Sequence, residues 1–188
     1  MMDDLSIDTR LGLPEHLRVL ADLYPREEWR GHANFNQLTA FWLERHLMFR
    51  QVLEKITQAS QSYLDDPQQP RFGPELSRYT GFMLNELHGH HSIEDSHYFP
   101  KFQAFDKRLI KAFDMLDMDH HALDEHMHNL AEATNAVLTP LSQGQTAKDQ
   151  TGALLQVQEG FHRFLNRHLT DEEEVIVPVI LEYGAEME

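Results

Sequence analysis

Phe113, Leu116, Leu123, Met127, Leu130 and Val137 recur along one face of a helix, and three other segments of the chain carry the same pattern. Four long amphipathic helices with short links between them have few ways to fold. Each must bury its apolar stripe against the others, and short connections favour antiparallel neighbours. The first segment runs from about Asn34 to Ser60, with Leu38, Trp42, Leu43, Phe49, Leu53 and Ile56 as its stripe. The second begins near Pro74 and leads to Pro100 through Leu76, Met83, Leu84 and Leu87. The third is broken by Thr139-Pro140, and Ser142 to Gly152 reads as a flexible polar link before the fourth, which starts near Ala153. The expected fold is all-α, an up-down antiparallel four-helix bundle over residues 34–188. Residues 1–33 form an N-terminal extension, with a short helix from Pro14 to Tyr24 expected over one end of the bundle and given no chemistry.

Charge and composition narrow the function. At 188 residues, with 41% hydrophobic and 25% charged, the chain can bury a core of one domain without disulfides. No apolar run approaches the roughly 20 residues of a membrane helix. The start Met1-Met2-Asp3-Asp4 has neither the basic nor the apolar region of a secretory signal, so a cytoplasmic location is expected. A net charge of −15 repels nucleic acid and anionic membranes, so neither is an expected partner. The chain has no cysteine, which leaves any metal to nitrogen and oxygen ligands. It has 13 histidines against only 16 lysines and arginines. Neither solubility nor packing calls for that many.

The histidines fall into register. His90 and Glu94 precede Pro100 with the same spacing as His168 and Glu172 precede Pro178, so His-x3-Glu followed by a proline occurs twice. Residues four apart differ by only about 40° around a helix, so each His and Glu can reach one point. Leu87 and Leu165, three residues before each pair, put both pairs on the inward stripe. His120 stands on the stripe of the third segment, and His46 replaces an apolar residue between Leu43 and Phe49 in the first. A single inward histidine reads as a hydrogen-bonded core residue, but four at matched registers with two glutamates call for a multivalent cation. His46, His90, Glu94, His120, His168 and Glu172 are the candidate metal ligands, a set that suits iron or manganese and tolerates zinc.

These six positions, spread over residues 34 to 182, resemble the hemerythrin-like, or HHE cation-binding, family. The resemblance implies a non-haem centre of two iron ions bridged by Glu94 and Glu172 and by an oxo or hydroxo group, with manganese or zinc as alternatives. It also implies a small-molecule ligand: dioxygen, nitric oxide or peroxide. One position departs from the pattern. Oxygen-carrying hemerythrins have a second histidine four residues after that of the third helix, where this chain has Asp124. The expectation therefore moves from reversible oxygen carriage to a sensor, scavenger or metal handler, with a di-iron oxidase or peroxidase and a bundle holding an inert metal as rivals. Oligomeric state is open, a homodimer included.

The remaining polar residues are expected outside the ligand set. His91, His121, Asp95 and Glu173 lie about 100° off the stripe and read as surface groups or as partners standing behind the ligands. His97, seven residues after His90, returns to the inward face as packing or channel lining. A rival scheme of Glu125-x2-His128 with Glu159-x2-His162 matches the Glu-x-x-His signature of ferritin-like bundles. Glu125 lies about 140° from His120 and Glu159 about 180° from His168, so both face away from the core.

Overall fold

In a computed structural model that describes residues 5–184, the protein is all-α, with no strand among the described residues. The α-helices are α1 (Gln37–Asp65), α2 (Phe72–Ile93), α3 (Phe99–Phe105), α4 (Ile110–Ser142) and α5 (Lys148–Tyr183). A π-helical turn, Glu94–Tyr98, carries α2 directly into α3. No described helix is long and apolar enough to cross a membrane.

The helix ends show why several sequence boundaries move. Asn36 caps α1, its Oδ1 accepting from the Thr39 N–H at 3.1 Å, so the helix begins after Asn36 and not at Asn34. Pro140 does not break α4, which continues to Ser142. A proline in the last turn costs one hydrogen bond, and the stop comes from Gly144 at φ 74°. The Gln145 N–H donates to the Pro140 carbonyl and that of Gly144 to Leu141, each at 3.0 Å, which closes the end. Gly144→Ala places a side chain in the left-handed region at a cost of about 1–2 kcal/mol. We expect a lower denaturant midpoint at unchanged slope. The long flexible link also contracts, because α5 already starts at Lys148. In place of a helix over Pro14–Tyr24 there is a 3-10 turn, Glu15–Leu17, followed by irregular turns.

The chain divides into two compact units. One comprises Met1–Leu47, His91–Ala122 and Asn166–Glu188. Its core joins Leu13, Leu17 and Leu20 of the N-terminal segment to Phe102, Phe113 and Ile176. A smaller cluster sets Trp29 against Val177 and Leu181. Consequently every residue from Val175 to Ile180 is buried, although a helix under one apolar layer would leave a polar face. The other unit comprises Met48–His90 and Leu123–Leu165. Phe49, Leu53, Met83, Leu130 and Phe161 are buried there, and the Tyr63 hydroxyl accepts the Ala147 N–H at 3.0 Å just before α5.

Candidate metal centre

The π-helical turn decides what faces inward on the second long helical run. Phe99 N–H donates to the Glu94 carbonyl, five residues back, so this turn takes one residue more than an α-turn. Positions beyond it are set back by about 100°. The expected inward place of His97 therefore passes to half-buried Tyr98 and buried Phe99, and His97 is exposed, not packing or lining a channel. The same turn separates the two halves of the repeat. Pro178 is buried on a regular α5, whereas Pro100 at matching spacing is exposed.

The six expected positions fall into two neighbouring groups of side chains. His46, His90, Glu94 and Glu172 each offer one ligand atom, all within 4.8 Å of one another. His91, His120 and His168 do the same. His90 is half-buried with its ring 5.3 Å from that of Phe49, and the other members of both groups are buried. His91, expected at the surface or behind the ligands, is not at the surface. It is 4% exposed and stacks on His120 with ring centroids 4.0 Å apart. Adjacent residues cannot share one stripe, and His90 and His91 fall in different groups. Asp124 is exposed, as is His121. Glu125, His128 and Glu159 also face solvent, which removes the ferritin-like scheme.

Each of three inward imidazoles has a carboxylate behind it. His46 Nδ1 donates to Glu173 Oε1 at 3.0 Å, His120 Nδ1 to Asp95 Oδ1 at 2.7 Å and His168 Nδ1 to Asp119 Oδ2 at 3.2 Å. A proton held at Nδ1 fixes the ring and leaves the Nε2 lone pair for a cation. On that side His46 Nε2 lies 3.4 Å from Glu172 Oε1, His168 Nε2 3.3 Å from Glu172 Oε2 and His120 Nε2 3.5 Å from Glu94 Oε2. The Nε2 atoms of His120 and His168 and Oε2 of Glu172 are buried without an aligned hydrogen bond. Such atoms are costly unless a cation completes them. This donor set fits iron, manganese or zinc.

Electrostatics carry the same mark. Burial and then the charge of Glu172 push the Glu94 carboxyl well above its ordinary range. Glu172 stays ionised far below that range, because His46 and His168 outweigh its burial. Burial alone would lower His168, yet hydrogen bonds to Asp119 and Glu172 raise it to about 9. His46 is raised against its burial by Glu172 and then Glu173. Around Glu172 the buried groups are thus biased one way, His46 and His168 toward their cationic form and Glu94 toward its neutral one.

Three groups lay beyond the sequence reading. Trp42 is buried in the core as its stripe requires, and it also donates from Nε1 to Glu172 Oε1 at 2.6 Å. Asp119 sits behind His168, and Arg10 of the N-terminal segment holds Asp119. The available signal was the unbroken run Val175–Ile180, which has no polar face and so requires cover from elsewhere in the chain.

Comparison with curated proteins and with solved structures finds no match. The hemerythrin HHE cation binding domain model matches residues 37–180, a span that contains every member of both groups. On that match, and in keeping with its helices and its histidine–carboxylate groups, the chain belongs to the hemerythrin HHE cation-binding family, whose domain is a helical bundle.

Proposed function

We propose that this is a cytoplasmic, non-haem di-iron protein that binds or senses dioxygen, nitric oxide or peroxide, or handles iron. The observation that carries this reading is the position of Glu172. Its two oxygens lie 3.4 Å from His46 Nε2 and 3.3 Å from His168 Nε2, one histidine from each group. A carboxylate so placed suits a bridge between two cations. Glu94, whose Oε2 lies 3.5 Å from His120 Nε2, would be the second bridge. His91, His120 and His168 would hold one ion, and His46 with His90 the other.

Bound there, iron supplies redox-active Lewis acidity with coordination positions left for a small ligand. The rest is done by the chain. The carboxylates of Asp95, Asp119 and Glu173 hold the Nδ1 protons of the imidazoles and so aim their Nε2 atoms. Trp42 fixes one oxygen of Glu172. Phe99, its ring 5.4 Å from that of His120, walls the site with apolar surface. With both glutamates shared, the ion at His46 and His90 would have one protein donor fewer than the ion at His91, His120 and His168, so that side is where a diatomic molecule would enter.

The test is anaerobic loading of the purified protein with Fe(II), followed by titration with nitric oxide under optical and paramagnetic resonance detection. We expect two irons per chain and a spectral change that saturates in proportion to iron. Failure to retain iron, or iron indifferent to nitric oxide, dioxygen and peroxide alike, defeats the proposal.

A further inference from the structure

Three arginines of the N-terminal segment reach acidic residues of α5. Arg10 Nε donates to Asp171 Oδ2 at 2.7 Å, Arg18 Nη1 to Glu174 Oε2 at 3.0 Å and Arg26 Nη1 to Glu173 Oε2 at 2.6 Å. All three precede residue 37, where the match to the family domain begins. They differ in what lies behind the carboxylate. Glu173 presents its other oxygen to His46 Nδ1, so Arg26, Glu173 and His46 form a chain. Arg10 also forks onto Asp119 of α4, Nη1 meeting Oδ1 at 2.7 Å and Nη2 meeting Oδ2. Asp119 Oδ2 in turn accepts from His168 Nδ1, so Arg10, Asp119 and His168 form a second chain. Among the described residues Glu174 has no histidine behind it in this way.

The anchoring of the two arginines is unequal. Arg10 is buried, with another Nη1 bond to the Leu5 carbonyl at 2.8 Å, and both its carboxylates are buried too. Arg167 also bonds Asp171, at 3.0 Å through Nε, so Asp171 keeps a cation if Arg10 is lost, whereas the paired fork on Asp119 comes from Arg10. Arg26 is half-exposed and lies over the Trp29 ring, 4.5 Å from its centroid. A planar guanidinium that grips a carboxylate through two bonds fixes its direction, and a carboxylate fixed in direction fixes the imidazole that donates to it.

We infer that Arg10 and Arg26 are positioning residues of the metal centre, through which the N-terminal segment, outside the family domain, aims His168 and His46 at the cation. The inference rests on the reading of the site as a metal centre. Arg18 is its internal control, because its carboxylate partner has no ligand histidine behind it.

The full-length protein and its Arg10→Ala, Arg10→Lys, Arg26→Ala and Arg18→Ala variants are stripped of metal. They are then titrated with Zn(II) against a chromophoric chelator and with Co(II) by its visible absorption. Melting of each metal-free protein is recorded in parallel. Losing an orienting partner of a ligand weakens metal binding about 10- to 100-fold. We expect Arg10→Ala and Arg26→Ala to lose affinity by about tenfold or more, with altered Co(II) bands. Arg10→Lys should fall between them and wild type, because it restores charge but not the fork. Arg18→Ala should match wild type. If Arg10→Ala does not fold, Arg10→Lys and the exposed Arg26→Ala decide. Unchanged affinity and bands in both overturn the inference, and so does a loss shared equally by Arg18→Ala that tracks melting. A wild-type protein that binds neither metal overturns the metal reading itself, and this inference with it.

Discussion

Glu172→Ala strips metal from the site and destabilises the metal-free protein as well. The carboxylate is fully buried and touches His46, His168 and Trp42 at once. Removing it takes away the candidate bridge, so metal content should fall from two ions per chain to one or none. It also leaves two buried imidazoles, both held toward their cationic form, without their shared counter-ion. Breaking a buried pair from one side costs about 3–5 kcal/mol. Relief of the repulsion on Glu94 offsets part of that, which points to the lower end, about 3 kcal/mol. In a domain of this size that is a drop in melting temperature of about 6–12 °C.

The sign of the pH dependence follows from the shifts. His168 is raised from 6.5 to about 9, so its stabilising contribution is fully present below 6.5 and lost as pH rises through about 9. Glu172 is depressed from 4.5, so its contribution is present above that value and lost only well into acid. The penalty of Glu172→Ala in the metal-free protein should therefore be largest between about pH 5 and 6.5 and shrink toward pH 9 and beyond. Thermal melts of both metal-free proteins across that range check this. A penalty that grows with pH contradicts it.

Phe113→Ala acts on the fold and spares the site. Its ring is wholly buried, 5.2 Å from Phe99 and 6.4 Å from Phe102 by centroid, in the core that the N-terminal segment completes. Emptying such a position costs about 3–5 kcal/mol, through lost transfer energy and the cavity left behind. That corresponds to a melting temperature lower by about 10 °C. Among the described residues no ring contact joins Phe113 to a histidine, so metal stoichiometry below the melting transition should equal that of wild type. Differential scanning calorimetry with elemental analysis reads both quantities. A stable Phe113→Ala protein would contradict the core described, and an equally stable one without metal would contradict the separation of core from site.

Much of this was legible in the residues because helical periodicity is strict. A histidine that interrupts an apolar stripe has one direction to point, and His46, His120 and His168 are all buried where the stripe placed them. The paired spacing found Glu94 and Glu172 for the same reason. His91 escaped because a single stripe implies a single focus, whereas two adjacent groups let neighbouring residues on α2 serve different ones. His97 was misplaced because the π-helical turn at Glu94–Tyr98 adds a residue to one turn, and spacing alone does not reveal it. Asp119 and Arg10 are joined by tertiary structure across 109 positions of sequence, so no local pattern connects them. Pro140 misled because a proline near a helix end costs far less than one in the middle.

The most direct test of the two-ion centre is anomalous diffraction at the iron edge from crystals of the iron-loaded protein. Two strong peaks are expected with Glu172 between them, one bounded by His91, His120 and His168 and the other by His46 and His90. A single peak, or iron found only at surface carboxylates with Glu94 and Glu172 bare, would contradict it.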